Sequence, residues 1–166
     1  MKEGINLATL DPIIVEQIDA LLTGETNPVV VLSNASAILA DAMPDTNWVG
    51  FYIFSQQTGT LDLAPFQGKV ACMHIAPGSS VVGTAYSKGE SLIVPNVHEF
   101  AGHIACDSAS NSEVVVPVTV DGHIVGILDI DSPLLDRFSA AEQNVLKQFV
   151  AALAQHVDVA ALNAVY

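Results

Sequence analysis

The stretch "EVVVPVTVDGHIVGILDIDS", residues 113–132, decides how the chain folds. Asp121-Gly122 supplies the positive φ values of a tight turn, and the flanking runs are rich in Val and Ile, so it reads as an antiparallel hairpin. Side chains alternate across a strand. Val125, Ile127, Asp129 and Asp131 are therefore expected on one face, with Ile124, Gly126, Leu128 and Ile130 on the other. Two carboxylates end a face that begins apolar. Counting out from the turn places Glu113 opposite roughly residue 130 and gathers Glu113, Asp129 and Asp131 into one cluster. Like charges at close range raise at least one pKa, which makes a protonated carboxyl available as a general acid. The plain alternative is a hydrated acidic rim where a strand runs out into solvent.

Outward from the hairpin, "NWVGFYIFS" (47–55) and "TLDLAPF" (60–66) read as strands joined by the turn "QQTGT", and "KVACMHIA" (69–76) as a further strand. "GSSVVGTAYSKGE" (78–90) has the small residues of a short helix packed closely on a sheet, and "SLIVPNV" (91–97) reads as a short strand. Helices flank this run. Asp11 and Pro12 open one, with Ile14, Ile18, Leu21 and Leu22 as its apolar face, and Thr23-Gly24 ends it. Asn27 and Pro28 open a second, with Val31, Ala35, Ile38, Leu39 and Ala42 inward. A third starts with the capping box Ser139–Glu142 and carries Leu146, Phe149, Val150, Leu153 and Val157. Helices, then strands, then a helix describe an α+β domain around a mainly antiparallel sheet, a single domain over residues 1–166.

Composition narrows the function. Among 166 residues, 51% are apolar and 14% charged, which supports a folded core. Eighteen acids face five Lys and Arg, for a formal charge of −13. Such a balance opposes binding to nucleic acid or to anionic membrane surfaces, both of which need basic groups. No apolar run reaches the length of a membrane span, and "MKEGINLATLDP" lacks the blocks of a signal peptide, so a cytoplasmic location is expected.

Two cysteines, Cys72 and Cys106, leave three readings open: packing, metal ligation or nucleophilic chemistry. Cys106 sits at the mouth of a Ser/Asn-rich loop in "GHIACDSASNSEVVVPV" (102–118), an unusual place for a packing thiol. "HEFAGHIAC" has the spacing His-x4-His-x2-Cys, which fits no common ligand pattern, so no metal and no cofactor are expected. Trp48, the sole tryptophan, shares a strand face with Gly50 and Tyr52, while Val49, Phe51 and Ile53 already supply an apolar face. Trp48 and Tyr52 are thus placed to line a pocket on the second face.

Together, "NWVGFY", "PFQGKVAC", "VVGTA", "VHEFAGHIACDSASNSEVVVPV" and "GILDIDSP" resemble the signature blocks of free methionine-(R)-sulfoxide reductases, small enzymes of the GAF class. The resemblance runs from about Asn47 to Pro133. It implies a GAF-like fold, with an antiparallel sheet of about six strands backed by helices. It also implies reduction of free L-methionine (R)-sulfoxide, thioredoxin as electron donor, and a homodimer. Position by position, Cys106 matches the catalytic cysteine and Cys72 a resolving cysteine. Glu113, Asp129 and Asp131 match the substrate-binding and proton-donating acids, and Trp48 and Tyr52 the aromatics of the pocket. Many members have a third cysteine in the block read here as "SSVVGTA"; Val82 stands in that place. The competing class is a non-catalytic GAF module that binds a small molecule.

Overall fold

The computed structural model describes residues 9–102 and 109–166. Its centre is the expected hairpin, β5 (Ser112–Val120) and β6 (His123–Ser132), joined by Asp121-Gly122 with φ of 50° and 80°. β1 (Trp48–Ser55) pairs with the far side of β6, and β2 (Thr60–Gly68) with β1. Short strands β3 (His74–Ile75) and β4 (Leu92–Val94) finish the two edges, giving the order β3-β2-β1-β6-β5-β4 with every pairing antiparallel.

Helices α1 (Ile13–Leu22), α2 (Pro28–Ala42) and α4 (Ala140–Ala154) cover one face of the sheet. There Ile14, Ile18, Leu32, Leu39, Leu146 and Phe149 pack on Val49, Phe51, Ile53, Val114, Val116, Leu128 and Ile130. Helix α3 (Ser80–Lys88) lies on the other face, where Val81, Val82 and Ala85 join Trp48, Tyr52, Leu61, Val115 and Ile127 in a smaller cluster. A final short helix, α5 (Val159–Val165), was not foreseen from the sequence. Among the described residues no single helix is long and apolar enough to cross a membrane.

Local signals explain the helix ends. Asn27 Oδ1 accepts the backbone N–H of Val29, and Ser139 and Glu142 close the expected capping box. Asp11 Oδ1 accepts the N–H of Ile13, the bond expected of a cap ahead of a helical Pro12, although α1 is bounded at Ile13. Glu142 has a second partner. Arg137, buried between β6 and α4, donates from one terminal nitrogen to both Glu142 oxygens at 2.9 and 3.0 Å, and gives its other donors to the Pro44 carbonyl. This satisfied buried ion pair ties the start of α4 to the loop before β1.

Four expectations need correction. Leu21 and Ala42 are exposed, because each falls one step outside its helix's inner stripe. Residues 69–76 form a strand only at His74–Ile75; in the preceding segment the Lys69 and Cys72 carbonyls accept instead from the Trp48 and Tyr52 side chains. Val125 packs toward the helices, not with the acids. Lastly, Glu113 pairs with Asp131, not with residue 130.

The last two share a cause. The ladder runs Val120↔His123 and Thr119↔Ile124, then jumps to Val118↔Gly126, so β6 carries one extra residue in a bulge. A one-residue shift exchanges the faces of everything beyond it. Without the bulge, Glu113 would share a face with Leu128 and Ile130. With it, Glu113 shares a face with Asp129 and Asp131.

Candidate active site

On the α3 face, the register lines up successive rows of side chains across five strands. One row reads Gly68, Trp48, Asp131, Glu113, Val94, and the next Phe66, Gly50, Asp129, Val115, Leu92. Each acid is thus fixed by a central strand with neighbours on both sides, which is the most rigid part of such a sheet. The Asn47 N–H donating to the Asp131 carbonyl, and Ser132 Oγ donating to the Asp45 carbonyl, hold the same end of β6 against the start of β1.

The expected triad forms. A carboxylate oxygen from each of Glu113, Asp129 and Asp131 lies within 4.8 Å of the others. Glu113 and Asp129 are buried and Asp131 is half-buried. Burial pushes the Glu113 carboxyl well above its usual range, and the charges of Asp129 and Asp131, with a hydrogen bond to Asp129, push it the same way. Burial also pushes Asp129 up to about 6, while the hydrogen bond from Glu113 works against that rise. Protonated Glu113 is therefore the donor and Asp129 the acceptor. Asp129 Oδ1 is buried without a hydrogen-bond partner, a costly state that a donor from a ligand would relieve. The spacing of the three oxygens suits a compact cation, and an ammonium group with three N–H donors also supplies the missing hydrogen bond.

Beside the acids stands an aromatic wall. The Trp48 ring stacks on Tyr52 with centroids 5.8 Å apart and on Phe66 at 5.1 Å. Two glycines make this possible. A Cβ on Gly50 would fall 2.3 Å from Phe66 Cβ and 2.8 Å from Trp48 Cη2, and one on Gly68 would fall 2.5 Å from Trp48 Cδ1. Burial, then the three neighbouring acids, raise the Tyr52 pKa, so its hydroxyl stays a donor.

Phe66 was missed in the sequence. It alternates out of step with Leu63 because β2 is irregular between the partners of Gly50 and Tyr52, so strict period-two counting hides it. Its adjacency to the "QG" that clears space for Trp48 was the available signal.

Cys72 is disulfide-bonded and half-buried beside this wall, packed against the α3-side cluster. Its carbonyl accepts the Tyr52 hydroxyl at 2.9 Å, and the Lys69 carbonyl accepts the Trp48 indole N–H at 3.2 Å. Cys106 lies outside the described residues. Val82 is buried in the same cluster as an ordinary packing residue.

A sheet with helices on one face, and a cluster of acids and aromatics beside a single helix on the other, fits a GAF domain, and the GAF domain model matches residues 21–157. A free methionine-R-sulfoxide reductase from Escherichia coli is 47% identical over 135 residues, 81% of each chain. One from Saccharomyces cerevisiae is 43% identical over 136 residues, 78% of this chain and 76% of that one. The structure of the Neisseria meningitidis free methionine-R-sulfoxide reductase in complex with its substrate superposes with a TM-score of 0.84 at 37% identity, covering 92% of this chain and 90% of that one. The chain belongs to the free methionine-(R)-sulfoxide reductase family of GAF domains.

Proposed function

We propose that this protein reduces free L-methionine (R)-sulfoxide to methionine by a thiol mechanism in which Cys106 is the nucleophile and Cys72 the resolving thiol. The observation that carries the reading is the carboxyl triad, in which burial favours the protonated form of Glu113, beside the stack of Trp48, Tyr52 and Phe66. A sulfoxide sulfur is a poor electrophile until its oxygen is protonated or strongly hydrogen-bonded. Glu113 supplies that proton from a site where burial keeps it bound until the substrate oxygen arrives. Asp129 and Asp131 take the α-ammonium group, satisfying Asp129 Oδ1 and selecting the free amino acid over a residue within a peptide, which has no such group. Trp48 packs against the thioether methyl.

The Cys106 thiolate attacks sulfur, the oxygen passes to the cysteine as a sulfenic acid, and methionine leaves. The Cys72 thiol then condenses with the sulfenic acid, releasing water and forming a disulfide, which a thioredoxin-like dithiol reduces. Cys72 being disulfide-bonded agrees with the oxidised end of this cycle. With Val82 in place of a third thiol, the cycle runs through these two cysteines alone.

Incubating the reduced protein with methionine (R)-sulfoxide should consume two thiols per chain and release one methionine. Unchanged thiols would point to a binding module. In the Cys106→Ser variant, continued turnover would refute the mechanism.

A further inference from the structure

We propose that the exposed apolar surface around Cys72 is the docking site for the protein dithiol that reduces its disulfide, with Cys72 Sγ as the sulfur attacked. The inference rests on the reductase reading above. Three observations on the segment carry it.

First, Val70 and Met73 flank Cys72 at 87% and 72% exposure, the two most exposed large apolar side chains described. Neither has a packing role that would account for an apolar residue. Second, their backbone is held from beneath. The Trp48 indole donates to the Lys69 carbonyl, the Tyr52 hydroxyl to the Cys72 carbonyl, and the Leu63 N–H to the Met73 carbonyl at 2.9 Å. An exposed apolar pair on a fixed backbone binds with little ordering cost, which distinguishes a contact surface from a loose loop.

Third, acids are sparse in this part of the sequence. Residues 63–89 contain none of the 18 acids, while Lys69 and His74 lie close to Cys72 in sequence. The nearest acid before the segment, Asp62, is already hydrogen-bonded by His74 at 2.6 Å and by Thr60. The fitting partner is a protein with an exposed dithiol and an apolar rim around its reactive sulfur. Redox encounters of this kind use small interfaces, a scale that an apolar pair beside the reacting bond suits.

The chemistry balances as a two-electron exchange. The partner's thiolate attacks Cys72 Sγ, the S–S bond breaks, and the electron pair leaves on the other sulfur, which takes up a proton. The partner's second thiol then attacks the mixed disulfide, releasing Cys72 as a thiol and leaving the partner oxidised.

The test compares the wild type with a V70D/M73D variant in methionine (R)-sulfoxide reduction. One arm uses thioredoxin, regenerated by its NADPH-dependent reductase, and the other uses dithiothreitol. The expected result is a fall of about tenfold or more in kcat/KM for thioredoxin, with the dithiothreitol rate and thermal unfolding unchanged. A thioredoxin kcat/KM equal to that of the wild type would overturn the inference, as would parallel losses in both arms. A thioredoxin with its second cysteine replaced should be trapped as a mixed disulfide on the Cys72 peptide; trapping on another cysteine would also overturn it. If the wild type shows no turnover with dithiothreitol, the reductase reading itself fails.

Discussion

Replacing Asp129 by Asn should stabilise the protein while impairing its activity, and the size of the stabilisation should depend on pH. Burial raises the Asp129 pKa from 3.8 to about 6 in the fold. Between those values the folded state binds more protons than the unfolded chain, so stability falls as pH rises through that window, and the cost is complete above it. Two pKa units correspond to about 3 kcal/mol. The same relation leaves about half of that cost at pH 5, where the folded carboxyl is still mostly protonated. The amide at this position stays neutral, keeps an oxygen to accept from Glu113 and has nearly the same shape. The D129N variant should thus exceed the wild type by about 3 kcal/mol at pH 8 and by roughly half as much at pH 5. Urea unfolding of both proteins at the two pH values measures this. A difference that stays constant with pH, or a variant less stable than the wild type at pH 8, would refute the argument that ionising Asp129 is what costs stability. Methionine sulfoxide reduction by the same variant should be weakened, since one carboxylate facing the ammonium group is gone.

Glu113→Gln should lower kcat/KM about a hundredfold, the ordinary contribution of a positioned general acid. The wild-type rate should fall as pH rises through the raised Glu113 pKa, and the variant's profile should lack that limb; an identical pH profile would remove Glu113 from the proton-donor role. Gly50→Ala inserts a methyl 2.3 Å from Phe66 Cβ and 2.8 Å from the Trp48 ring, so it should cost about 1–3 kcal/mol in thermal or urea unfolding. Because Trp48 is the sole tryptophan, the same variant should shift the intrinsic fluorescence; an unaltered spectrum and unaltered stability would contradict the tight fit of the wall.

Much of the fold was legible because local signals and global packing agree. Asp121-Gly122 set the hairpin, Asn27-Pro28 and Ser139–Glu142 set helix starts, and the opposed parities of Val49/Phe51/Ile53 and Trp48/Tyr52 announced a sheet covered on both faces. What stayed hidden depends on contacts distant in the chain. Arg137 finds Glu142 nearby, yet its other partner is the Pro44 carbonyl, and nothing in the sequence joins positions 93 residues apart. Residues 69–73 have strand-like composition, but β2 offers pairing only near His74 and Ile75, so composition misleads there.

The acid cluster shows how a sound expectation reached the right place by an incomplete route. Regular counting from the turn sets Glu113 opposite residue 130, and directly opposed residues share a face. Followed strictly, that register buries Glu113 among Leu128, Ile130 and the helices, where an acid has no partner. The bulge beside Val125 turns β6 over, so Glu113 instead meets Asp131 directly and Asp129 diagonally. Alternation holds along β5 and along β6 from Gly126 onward; it fails at Val125, and with it the relation between the two strands, because a bulge leaves only a weak mark in a run of Val, Gly and Ile. The apolar partners on both faces force the choice, since Val114 and Val116 must share the helix side with Leu128 and Ile130 for the core to close. Packing on one face of the sheet thus compels three carboxyls together on the other. The cost of that crowding is borne as Glu113's retained proton, the state that the proposed sulfoxide chemistry requires.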